Sequence, residues 1–206
     1  GCALVLGTGA EPRSFPLPSL PDEVIAPTVI DMETALNKQQ LAALLDRIEC
    51  TGDSALGRDT RSKVVVGVVG NSHSGVLILE NLRKLCEEHA GSEATSLRIQ
   101  EVRLMTRNGD GCRLAVWDGQ EYRFTNTGLK GRAAVFARRF LTLEQEELRG
   151  DIEREPWPEL NEIAIPRTSS PGSGLPVEAV VGCTHLIQAV GYESSPLPPL
   201  CVDGKP

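Results

Sequence analysis

Val64-Val65-Val66-Gly67-Val68-Val69 runs directly into Gly70-Asn71-Ser72-His73-Ser74-Gly75, and this stretch decides the fold. A continuous β-branched run with no polar residue to face solvent is the pattern of a central parallel strand covered on both faces. The glycines that follow permit a tight turn. Beyond them Ile78, Leu82, Leu85 and Cys86 recur at helical spacing, while Glu80, Arg83, Lys84 and Glu87 take the opposite face. Glu80 and Lys84 stand four apart in the favourable order. A small-residue loop over 90–96 leads to a second strand, predicted over 99–105 and ending in Thr106-Arg107. Strand, glycine turn, helix and strand make one βαβ unit. The fold class that follows is α/β, a Rossmann-like parallel sheet with flanking helices.

Toward the C-terminus the pattern alternates at Leu114, Val116, Tyr122 and Phe124 around Asp118-Gly119, which predicts a short β-hairpin with a two-residue turn. Leu129, Ala133, Phe136, Ala137 and Phe140 mark a helix whose outer face carries Arg132, Arg138 and Arg139. Thr142 and Gln145 have capping-box spacing ahead of Leu148. A strand is predicted over 162–165, a Pro/Gly/Ser loop over 169–176, and a further strand over 184–190, ending at Gly191. Toward the N-terminus, Asn37 and Gln40 have capping spacing, and Leu41, Leu44, Leu45 and Ile48 predict a helix over 38–49. Residues 51–62 read as a loop, and Pro12, Pro16, Pro18, Pro21 and Pro27 mark an irregular connector. The chain opens on Gly1 already inside an apolar run over 3–6, so it reads as a segment of something longer.

Composition narrows the function. Twenty-one basic against 28 acidic residues leave a net charge of −7, unlike the basic stripe of a nucleic-acid module. Aromatic residues are only 4% of the chain, too few for base-stacking platforms. No apolar run approaches the roughly 20 residues that span a bilayer. The six cysteines are widely spaced, without a C-x-x-C pair, which favours reduced thiols and a cytoplasmic location over a zinc ribbon or disulfide scaffold.

The site chemistry follows from the 70–75 turn. A parallel strand feeding a glycine turn and a helix start converges unpaired amides and the positive end of the helix dipole, an anion site. The turn reads Gly70-x-Ser72-x-x-Gly75, one residue from the dinucleotide fingerprint G-x-G-x-x-G. Gly70 can make the turn, Gly75 allows close packing, and Ser72 is a small polar substitute for the middle glycine. Asn71, His73 and Ser74 complete the cradle. At the second-strand end a 2′-hydroxyl would want a carboxylate and a 2′-phosphate a hydroxyl and a cation. Thr106 and Arg107 therefore favour NADP(H). The same turn also comes within one residue of a G-x-S-x-G nucleophile elbow, which would make Ser72 a hydrolase nucleophile needing a later histidine, His89 or His185.

In order, these parts resemble two-dinucleotide-domain flavoproteins, the pyridine nucleotide-disulfide oxidoreductase superfamily and related flavin-dependent monooxygenases. The 70–75 turn looks like their NADPH turn. Val5-Leu6-Gly7-Thr8-Gly9-Ala10-Glu11-Pro12 is similar to the strand with which their FAD domain hands over to the NAD(P) domain, and Leu186-Ile187-Gln188-Ala189-Val190-Gly191-Tyr192 to the strand that returns. Gly7 and Val190 depart from the family's usual Ala and Thr, and the FAD-holding G-x-G-x-x-G is not in the chain. The resemblance implies that residues 1–30 are the tail of an FAD-binding domain with a connector, 31–178 an NAD(P)-binding Rossmann domain, and 179–206 the return strand. It implies an NAD(P)H-binding portion of an FAD-dependent oxidoreductase or monooxygenase that passes hydride from NADPH to flavin and acts on a small-molecule substrate. Gly191 joins the cofactor-binding set, and FAD would be held in the full-length protein. A non-catalytic nucleotide-binding module is the alternative of another class.

Overall fold

The structure, a computed structural model, describes residues 10–12, 14–47, 64–90, 99–117, 122–123, 128–166, 174–190 and 192–194. The valine run forms β3 (Val64–Val69), and all six of its residues are buried. It lies at the centre of a five-stranded sheet with β2 (Thr28–Ile30), β4 (Ile99–Arg107), β7 (Leu160–Ile165) and β8 (His185–Gln188), in the order β2-β8-β3-β4-β7. Every pairing in that sheet is parallel. The α/β, Rossmann-like reading is thus correct. Two of the strands, β2 and β8, come from segments outside 31–178 and join the same sheet.

One face of the sheet is covered by α1 (Met32–Leu36), α2 (Lys38–Arg47), α3 (His73–His89) and α4 (Gly131–Phe140). Val64, Val66 and Val68 point to that side and pack with Leu41, Leu45, Ile78, Leu79, Leu82, Leu85 and Phe136. Burial of each large aliphatic side chain contributes about 2 kcal/mol. Val65 and Val69 point the other way, into a smaller cluster with Met105, Leu175, Val180 and Leu186 under α5 (Val177–Val180). Strand alternation explains why a valine at every position, apart from Gly67, suits a strand clothed on both sides.

Local signals behave mostly as their chemistry dictates. Asn37 Oδ1 accepts the amides of Gln39 and Gln40 at 3.1 and 3.2 Å and so starts α2. A hairpin is present as β5 (Val116–Trp117) and β6 (Tyr122–Arg123), but Trp117 pairs with Tyr122. Four residues, 118–121, therefore connect the strands rather than the two predicted, and they lie outside the described residues. Thr142 and Gln145 do not form a capping box. Gln145 makes no side-chain cap, the Leu143 amide is taken by Glu146 Oε1 at 2.9 Å, and only one 3-10 turn (Glu146–Arg149) forms. Near the two ends, β1 (Ala10–Pro12) and β9 (Tyr192–Ser194) pair antiparallel as a separate ribbon. The apolar run at 3–6, the loop at 51–62 and Phe124 fall outside the described residues.

Candidate functional site

The sheet order places a topological switch beside β3. From β3 the chain passes through α3 to β4 on one side, and β8 later fills the other. In open α/β sheets ligands collect at the carboxyl ends of the strands at such a point. Val69 is level with Met105 of β4 and with Gln188 of β8, so the 70–75 turn rises between the ends of both neighbours. Gly70 has φ +98°, and a Cβ on it would stand 2.7 Å from the Ala189 carbonyl oxygen. At Gly75 a Cβ would penetrate the Gly70 carbonyl, so the first turn of α3 can fold back on the strand end only with glycine here.

Ser72 is the N-cap residue of α3, yet it makes no side-chain cap bond. Its hydroxyl turns aside and donates to the Ala189 carbonyl at 2.8 Å. The first turn of α3 contains no acidic residue. His73 is exposed, Ser72 and Ser74 are half-buried, and Gly75 is buried. Among the described residues, no capping side chain and no first-turn carboxylate covers the amides that open α3, and the helix dipole adds partial positive charge there. Asn71 Nδ2 donates to the carbonyls of Asp110 and Gly111, both at 2.9 Å, and ties the turn to the loop after β4.

Thr106 and Arg107 end β4 beside this turn, but they diverge. Thr106 follows Leu104 onto the helix-covered side and is 5% exposed, whereas Arg107 follows Met105 onto the other side and is exposed. Arg107 alone of the pair offers its side chain to solvent. Gly191 lies outside the described residues. The nearest acid, Asp110, is close enough to Arg113 to help hold that guanidinium charged, behind the larger effect of Glu144.

Neither histidine weighed as a partner for Ser72 is bonded to it. His185 opens β8, four residues before Ala189 and so roughly 13 Å away along the strand. It is fully buried, its Nδ1 bonds Thr184 Oγ1 at 2.8 Å, and burial lowers its pKa. Among the described residues, the thiols of Cys86 and Cys112 are no better placed as nucleophiles: burial pushes both up to about 12. A shallow cleft lined by Phe140, Arg154, Glu155, Pro156, Trp157 and Leu160 sits by the start of β7, at the opposite end of the sheet from the turn. Its charges are occupied, Arg154 by Glu162 and Glu155 by Arg139.

Two features of the site escaped the sequence reading. Asn108-Gly109 is a strong signal for a tight turn with two left-handed residues, and the structure has φ 53° and 74° there. The Asn71 clasp has no signal in the local sequence, because its partners lie about 40 residues away.

Comparison with known proteins returns no matching family model and no matching solved structure. Monooxygenase AgnR1 from Paecilomyces divaricatus is 33% identical over 207 residues, an alignment that takes in 98% of this chain and 44% of that protein. The chain is therefore similar, along nearly all its length, to less than half of a protein named as a monooxygenase. Among the described residues no helix is long and apolar enough to cross a membrane.

Proposed function

We propose that this chain is the NADPH-binding portion of an FAD-dependent oxidoreductase of monooxygenase type. The observation that carries the reading is the open start of α3. It stands at the switch point of a parallel sheet, floored by Gly70 and Gly75, with Ser72 turned away from its own helix. The donor set suits a diphosphate: backbone amides and a helix dipole, with no competing carboxylate in the first turn. The length-wise similarity to a protein named as a monooxygenase supports the oxidoreductase class.

In this reading the amides of His73, Ser74 and Gly75 hold the diphosphate, and Gly70 and Gly75 let the turn close on Ala189 and on the strand end without a Cβ in the way. Asn71 and Ser72 act through their side chains, Asn71 tying the β4 loop to the turn and Ser72 bracing the turn against Ala189. Arg107 supplies the cation for the 2′-phosphate, and Thr106 contributes backbone, accepting the Gly109 amide at 3.4 Å. Hydride transfer from NADPH to flavin is chemistry that the two cofactors supply when bound. This chain's part is to bind and orient, and the flavin would be held by the remainder of a longer protein together with the outer parts of 1–30 and 179–206, whose strands β2 and β8 belong to the nucleotide sheet.

The test is a fluorescence titration of the protein with NADPH and NADH. NADPH should bind more tightly, and Arg107→Glu should bring the two affinities together, with a loss of about tenfold for NADPH, the size of one charge-assisted contact. A folded protein that binds neither nucleotide would overturn the proposal. Labelling of Ser72 by a fluorophosphonate would replace it with the hydrolase.

A further inference from the structure

The Asn71 side chain makes a connection that nucleotide binding at the turn does not by itself require. A primary amide has two donor hydrogens, and both of those on Asn71 are spent on carbonyls of one loop, those of Asp110 and Gly111. Because both partners are pure acceptors, the chemistry fixes which end of the amide faces them. Asp110 in turn donates its own amide to the Arg107 carbonyl at 2.8 Å, closing a turn over Arg107, Asn108, Gly109 and Asp110. Both central residues of that turn are left-handed, so it is the tight type I′ form, with one strongly preferred backbone path. On its far side the Asn108 amide donates to the Ile165 carbonyl at 2.8 Å, which anchors the turn to β7. The path from the 70–75 turn to Arg107 is thus two hydrogen bonds long, Asn71 to Asp110 and Asp110 to Arg107, through a segment with little freedom to bend. Arg107 and residues 108–110 are exposed; β7 holds this segment from one side through Ile165, and the Asn71 clasp holds it from the side of the 70–75 turn.

We infer that Asn71 is a positioning residue for nucleotide specificity, setting the place of Arg107 relative to the diphosphate cradle and so the preference for a 2′-phosphorylated nucleotide. The inference rests on the reading of the turn as an NADPH site. It differs from a role in holding the turn itself, because Asn71 reaches outward to the β4 loop while Gly70, Ser72 and Gly75 pack toward β8.

The experiment compares NADPH and NADH affinities in the full protein for wild type, Asn71→Leu, Asn71→Ala and Arg107→Ala, with the Asn71→Leu/Arg107→Ala double variant closing a cycle. Asn71→Leu keeps the size and removes both donors without setting a charge beside the diphosphate. Loss of two hydrogen bonds should cost about tenfold in NADPH affinity. NADH should change by less than about twofold, so the preference collapses. Once Arg107 is alanine, Asn71→Leu should have almost no further effect on NADPH. Equal weakening of both nucleotides, an unchanged preference, or a full additional loss in the Arg107→Ala background would each overturn the inference. So would thermal unfolding data showing that both Asn71 variants fail to fold, since that would make the residue structural. A wild type that binds both nucleotides equally would remove specificity and leave the nucleotide site standing. A wild type that binds neither would defeat the site reading itself.

Discussion

Helices α1 and α3 face their own N-termini in opposite ways. At α1 the N-cap Asp31 accepts the Thr34 amide at 2.8 Å and the Thr34 hydroxyl on its other oxygen, with Glu33 in the first turn. Its Thr34 amide is taken by its own cap, and the dipole is met by carboxylates. At α3 the N-cap hydroxyl is bound elsewhere and acids are missing from the first turn. An uncapped start alone means little, because α4 lacks a side-chain cap too. What sets α3 apart is its placement: it alone of these helices leaves the end of a central parallel strand through a pair of glycines that bring helix and strand into near contact. The lesson is that a helix start becomes a binding element when its own side chains are directed away from it and the surrounding backbone is held open.

The comparison can be broken most severely at Gly75. Gly75→Val drives a branched side chain into the Gly70 carbonyl, and the expected result is destabilisation by about 1–3 kcal/mol with loss of nucleotide binding. Thermal melts and titration read both effects. A subtler change makes α3 resemble α1. His73→Glu places a carboxylate in the first turn at an exposed position. It should stabilise the helix by about 0.3–1 kcal/mol while weakening NADPH by about tenfold, so stability and binding move in opposite directions. Parallel gains in both would show that the first turn does not receive an anion. Asp31→Ala is the converse at α1: it should cost about 1 kcal/mol in urea unfolding and leave NADPH affinity unchanged.

The α1 cap also carries a pH signature. The Thr34 hydroxyl and amide hold the Asp31 carboxyl below its usual 3.8. A depressed folded pKa means the stabilisation is complete above the ordinary aspartate value and is lost as pH falls through the lowered one. The difference in stability between wild type and Asp31→Ala should therefore be flat at neutral pH and shrink below about pH 4. A difference that persists unchanged into strong acid would show that the carboxylate is not the cap.

Much of the scaffold was legible because it depends on contacts close in sequence. The valine run, the amphipathic pattern of α3 and the Asn37 cap are each written within a few residues. The hairpin register was missed because Asp118-Gly119 is only part of a four-residue connection, and pairing of Trp117 with Tyr122 decides it. The Thr142 box failed because the Thr142 amide goes to Glu162 and its hydroxyl accepts from Arg154, partners 20 and 12 residues away. In the site, the turn at 70–75 was visible, since glycine spacing is a local signal. Thr106 could be named as a hydroxyl, but its burial depends on which face of β4 it joins. The redirection of Ser72 to Ala189 and the Asn71 clasp involve partners 117 and about 40 residues away, a distance at which a single sequence carries no pattern.

Amide hydrogen exchange in the presence and absence of NADPH reads the start of α3 itself. The amides of His73, Ser74 and Gly75 should gain protection when the nucleotide is added, while those of Glu33 and Thr34 at the start of α1 stay as they were. Nucleotide that binds without slowing exchange at the start of α3 would contradict the proposed cradle.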